Sequence, residues 1–109
     1  MSRSDAIRRV EPPPAVLAIM EGDTASPLCI SEVPVQPWLT DLLRSIQDHL
    51  HEDCVKFYVR AIRSGCLPPP VEGVAHNGFL YLTDGTHRAT AWARLGWLQV
   101  PARVWGPRA

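Results

Sequence analysis

The stretch VAHNGFLYLTDGTHRATAWARLGW, Val74 to Trp97, carries a turn signal followed at once by a helix signal. Asn77-Gly78 separates two β-prone runs, Val71 to Ala75 and Phe79 to Thr83. An Asn-Gly pair favours a two-residue hairpin, because both turn positions need a positive φ. Gly85 then lets the chain leave the second strand sharply. A helix is expected over Thr86 to Leu95, ended by Gly96. Beyond it VPARVW, Val100 to Trp105, reads as a last strand.

Upstream the pattern changes. Residues Met1 to Pro14 are polar, charged and then proline-locked, and are expected to form a flexible N-terminal tail or a stiff lead-in, with a single domain over 15–109. AVLAIM, Ala15 to Met20, is a short apolar run bounded by Pro14 and a turn-prone segment, and reads as a buried strand. LCISEV, Leu28 to Val33, alternates apolar with polar and reads as another, ended by Pro34 and Pro37. From Trp38 to Ser64 the apolar residues Leu39, Leu42, Leu43, Ile46, Leu50, Val55, Tyr58, Ala61 and Ile62 recur at helical spacing. Two helices with a break at HLHED are expected there, the second closed by Gly65. The class is α+β: a short mixed sheet packed by about three helices.

Whole-chain properties narrow the function. The 109 residues have 46% hydrophobic and 20% charged composition, as in an ordinary globule with one core. Eleven basic residues balance eleven acidic ones, so no global field draws the chain to nucleic acid. Six scattered arginines, Arg60, Arg63, Arg88, Arg94, Arg103 and Arg108, do not form a nucleic-acid stripe. No apolar run approaches the roughly 20 residues that span a bilayer, no signal segment is evident, and a cytoplasmic location is expected. Cys29, Cys54 and Cys66 are read as small buried hydrophobes rather than a disulfide framework. His49, His51 and Cys54 do not complete a tetrahedral metal set and read as a surface cluster. Trp92, Trp97 and Trp105 are assigned to the core and Trp38 to the surface.

The candidate site is the turn Asp84 to Arg88. The first amides of a helix lack partners within it, and its dipole places about half a positive charge there. Gly85 admits an anion without a Cβ in the way, Thr86 and Arg88 add donors, and His87 donates or takes a proton near neutral pH. Asp84 is open to two roles, a helix cap or a ligand for Mg²⁺. Each of the others has a plain structural reading as well: Thr86 as a cap, His87 and Arg88 as a solvated helix face.

PPPVEGVAHNGFLYLTDGTHRATAWARLGWLQVPARV, Pro68 to Val104, resembles the ParB/sulfiredoxin superfamily, whose signature stands between a strand and an alanine-rich helix followed by Leu-Gly and a Val-Pro strand. The resemblance implies three branches. Sulfiredoxins place a reactive cysteine just before the His-Arg pair; Thr86 stands here, so sulfinic reductase activity is rejected. Chromosome-partitioning ParB proteins bind CTP with the related motif and read DNA through a later helix-turn-helix; this chain, ending at Ala109, is expected not to bind a partition site alone. Free-serine kinases of the fold hold nucleotide phosphates at D-G-H-H-R and use an upstream glutamate as base, for which Glu21 and Glu32 are the candidates.

Together these give a nucleotide- or phosphate-binding domain with Gly85, Thr86, His87 and Arg88 at the phosphate, and Asp84 and His87 as the acid–base and Mg²⁺ candidates. Any chemistry would be ATP- or ADP-dependent phosphoryl transfer, as in a small-molecule kinase, or nucleotide hydrolysis. The alternative is a non-catalytic module that senses a nucleotide or contacts a protein partner. DNA binding or nicking is disfavoured by the zero net charge.

Overall fold

The computed structural model describes residues 7–21 and 33–105. In chain order they form β1 (Arg8–Arg9), α1 (Pro14–Met20), β2 (Val35–Leu39), a 3-10 turn (Thr40–Leu42), β3 (Leu43–Ser45), α2 (Glu52–Arg63), β4 (Val71–His76), β5 (Phe79–Asp84), α3 (Thr86–Arg94) and β6 (Gln99–Trp105). The six strands make one mixed sheet in the order β1-β3-β5-β4-β6-β2.

The β4–β5 hairpin is the centre of that sheet and forms as expected. Asn77 and Gly78 take φ of 52° and 85°, the double positive conformation of the tight hairpin turn. Its strands pair antiparallel, Val74 with Tyr81 and Ala75 with Leu80. On one flank β5 takes β3 in parallel; on the other β4 takes β6 in parallel. Because side chains alternate along a strand, Leu80 and Leu82 face one side and Tyr81 the other. The first side is covered by α2 and α3 and holds the main core: Leu43, Val55, Ile62, Val71, Leu80, Leu82, Ala89, Trp92 and Val100 are all buried there. The second side carries α1, whose Val16 and Ile19 pack with Val74, Tyr81 and Trp105.

Several elements differ from expectation. The strand expected over Ala15 to Met20 is instead the helix α1. Pro14 occupies its first turn, where a missing N–H costs nothing, and Val16 and Ile19, three apart, supply the one apolar stripe that a short covering helix needs. Within the expected lead-in, Arg8–Arg9 pair parallel with Arg44 and Ser45, and Val10 N–H donates to the Ser45 carbonyl. The strand expected at Leu28 to Val33 lies outside the described residues up to Glu32.

The first of the two helices expected between Trp38 and Ser64 does not form. Leu39, Leu42, Leu43 and Ile46 have helical spacing, yet Val35–Leu39 is an edge strand antiparallel to β6, Pro37 facing Pro101, and Leu43–Ser45 lies in parallel between β1 and β5. Pairing with partners distant in sequence overrode the local period. The second helix is α2, and Gly65 follows it at φ 90° as expected.

Burial corrects three further assignments. Cys54 and Cys66 are exposed rather than buried, and Cys29 lies outside the described residues. Trp38 is half-buried against the main core rather than free on the surface. Of the three tryptophans assigned to the core, Trp92 is fully buried and Trp105 packs under α1, while Trp97 is more than a third exposed at 37%. It leans on Trp92 with ring centroids 6.0 Å apart.

Trp92 is the largest fully buried side chain, so α3 depends on it. Trp92→Ala is expected to cost about 3–5 kcal/mol of unfolding free energy. Urea unfolding followed by circular dichroism checks this, and a loss below about 1 kcal/mol would contradict the packing described.

Candidate functional site

The end of β5 and the start of α3 meet at Gly85. Its φ is 98°, and a Cβ there would lie 2.9 Å from Arg88 Nη2, 2.9 Å from Val71 Cγ1 and 3.1 Å from Val71 Cα. Both the conformation and the contact with backbone demand glycine. Gly85 is the N-cap residue, and no side chain caps the helix, so the cap roles open to Asp84 and Thr86 are not taken. The first-turn amides are left without a partner inside the helix.

The four side chains of the motif go to different places. Thr86 is buried, with its hydroxyl 3.4 Å from that of Ser45 on β3. Only its backbone N–H is left to serve an anion. Asp84 is exposed, and its Oδ2 lies 3.2 Å from Arg88 Nη2. Arg88 is nearly covered, its side chain 11% exposed, and its Nη1 donates to the Pro69 carbonyl at 3.4 Å. Half-buried His87 and Arg88 are therefore not a solvated helix face.

His87 is tied to the loop before α2. The His51 backbone N–H donates to His87 Nε2 at 3.0 Å, and the two imidazoles stack with centroids 5.7 Å apart at 23°. A ring nitrogen that accepts a hydrogen bond carries no proton, so this contact needs the neutral ring. Burial, then the neighbouring His51, holds the His87 pKa below its ordinary value. A second tie joins the helices further along, where Arg94 grips Glu52 in a two-pronged contact of 2.5 and 2.7 Å. That hydrogen bonding lowers the Glu52 pKa.

These ties set α2 beside the mouth of α3 and leave a cleft of about 320 Å³ lined by Gln47, Tyr58, Asp84, Gly85, His87 and Arg88. Four of the six come from the motif. Gln47 and Tyr58 were not among the expected site residues: Tyr58 reads in sequence as one more apolar position of a helical stripe, and Gln47 lies in a loop without a local signal. Cys54 and Cys66 do not line the cleft, nor does Glu21, which caps α1; Glu32 lies outside the described residues. Among the described residues no group of three or more His, Cys, Asp or Glu side chains is placed to hold a metal ion. A cation here would have one carboxylate, Asp84, and would draw its other ligands from a phosphate and water, the usual arrangement for Mg²⁺. Among the described residues no helix is long and apolar enough to cross a membrane.

Acidification should loosen this site. The folded state holds His87 below its ordinary pKa, so the unfolded chain binds the proton more readily, and the stabilisation from neutral His87 is present above about pH 6.5 and lost as pH falls through the folded pKa. Thermal melts are expected to show wild type losing stability between about pH 6.5 and 5 faster than His87→Gln, whose amide oxygen accepts from His51 without titrating. Parallel profiles would remove His87 from this role. Gly85→Ala is expected to cost more than about 1 kcal/mol, and an unchanged denaturation midpoint would contradict the turn geometry.

No protein-family model matches the chain, and no curated protein matches it by sequence. Its structure is similar to sulfiredoxin from Arabidopsis thaliana, with a TM-score of 0.57 and 20% identity over 65% of this chain and 83% of that one. It is similar also to the C-terminally truncated chromosome-partitioning protein ParB from Caulobacter crescentus complexed with CTP-γ-S, with a TM-score of 0.57 and 18% identity over 65% of this chain and 43% of that one. The chain thus matches less than half of that ParB's length. The chain has a ParB/sulfiredoxin-like fold.

Proposed function

We propose that this domain binds a nucleotide or another phosphate-bearing small molecule in the cleft at Asp84 to Arg88. The observation that carries the reading is the uncapped mouth of α3, with a glycine at its N-cap and the Arg88 guanidinium beside it. The amides of Thr86, His87 and Arg88 would hold one phosphate, and Arg88 would neutralise it. The ParB of Caulobacter crescentus with CTP-γ-S supports a nucleotide as ligand class. Mg²⁺ would enter with the ligand, held by its phosphates and Asp84. Phosphoryl transfer or nucleotide hydrolysis is the chemistry such a seat favours, since positioning and charge neutralisation carry most of it. In that case Asp84 would move the proton, or His87 once its Nε2 lets go of the His51 N–H.

A second reading, a non-catalytic nucleotide-sensing module, is favoured by one observation. Asp84 is the sole carboxylate among the described residues lining the cleft, and it is engaged with Arg88. The two readings part in one experiment: incubation with Mg²⁺ and each of ATP, ADP, CTP and GTP, following phosphorus species and melting temperature together. At least one nucleotide is expected to raise the melting temperature by several degrees at saturation, and Arg88→Ala to abolish the shift. Product formation lost in Asp84→Asn identifies an enzyme; stabilisation without product identifies the sensor. Melting temperatures that no nucleotide moves would sink both.

A further inference from the structure

The Asp84–Arg88 pair has an unequal environment. Asp84 is 67% exposed, whereas Arg88 is 11% exposed and boxed in by its own helix, Gly85 and Pro69. Arg88 and Asp84 both line the cleft, and Nη2 is the guanidinium nitrogen that Asp84 approaches. Both of its contacts, 3.2 Å to Asp84 and 3.4 Å to Pro69, are longer than the 2.7–2.9 Å of a strong charge-assisted hydrogen bond. A pair of this kind, half in water, is weakly held and readily exchanged.

We propose that Asp84 is an internal competitor for the ligand: its carboxylate holds the face of Arg88 that an incoming phosphate needs, so that binding requires the guanidinium to exchange one anion for another. This rests on the phosphate-seat reading above. Asp84 acts against an anion twice, by occupying Arg88 and by repelling negative charge at the cleft mouth. A divalent cation arriving with the phosphate relieves both effects, because it compensates the Asp84 charge and frees the guanidinium. The domain therefore discriminates against uncomplexed phosphate compounds and in favour of their magnesium complexes.

Calorimetric titration with inorganic pyrophosphate, in EDTA and then in excess Mg²⁺, tests this on wild type, Asp84→Asn, Asp84→Glu and Arg88→Ala. In EDTA, Asp84→Asn is expected to bind about three- to tenfold more tightly than wild type, while Asp84→Glu, which keeps the charge, stays near wild type. In Mg²⁺ the advantage of Asp84→Asn is expected to shrink. If Asp84→Asn binds no more tightly in EDTA while Arg88→Ala binds more weakly than wild type, the competitor is refuted and the seat stands. Should none of the four proteins bind, or Arg88→Ala bind like wild type, the seat itself is wrong and the competitor falls with it. A carboxylate that serves only the helix would give a third pattern, a lower melting temperature in Asp84→Asn at unchanged affinity, and this too would overturn the proposal.

Discussion

The turn at Gly85 has no room for another residue, and the rest of the site follows from that constraint. A positive φ brings β5 into α3 over a single residue, and the absent Cβ lets Val71 of the neighbouring strand and the Arg88 guanidinium close in on the same point. The helix therefore starts against the end of the sheet with a bare glycine at its N-cap. A side-chain cap would satisfy its amides internally; glycine leaves them available. Buried Thr90 and Trp92 further along α3 then fix the axis, so the mouth is held by the core as well as by the contact of His87 with His51.

Much of this was legible in sequence because its determinants are local. Asn77-Gly78, Gly85 and Gly96 lie at the points where the backbone must turn, and between them the strand and helix periods are short and uninterrupted. The segment from Val35 to Leu50 was not legible for the opposite reason. Leu39, Leu42, Leu43 and Ile46 keep a helical rhythm, but the sheet has two vacancies, beside β6 and beside β5, that this chain fills as β2 and β3. Nothing near Trp38 or Leu43 in sequence reports their partners Val100 and Leu80, 62 and 37 positions away. α1 was misread for a related reason: in six apolar residues, a strand buried on both faces and a helix buried on one look alike, and only the position of Val16 and Ile19 over Val74 decides.

The candidate site shows the same division. The motif places four lining residues in the cleft, while Thr86 does not line it and is buried with its hydroxyl against Ser45. Gln47, Tyr58 and His51 arrive from elsewhere in the chain: Gln47 follows β3, which pairs with β5, while Tyr58 and His51 are brought by the contact between α2 and α3, fastened by Glu52 with Arg94 and by His51 with His87. Tyr58 illustrates the ambiguity well. A tyrosine in an amphipathic helix reads as core, and here it does pack partly against the core while also lining the cleft. The fold is shared with proteins of different chemistry, so the site and not the fold has to carry the function.

The central claim is that the free amides at the mouth of α3 bind phosphate. Amide-resolved NMR of the ¹⁵N-labelled protein, titrated with a magnesium–nucleotide complex, addresses those amides one by one. Saturable shifts concentrated at Thr86, His87 and Arg88, with smaller changes at Gln47 and Tyr58, are the predicted result. Shifts confined to another surface, or none at millimolar ligand, would contradict the account.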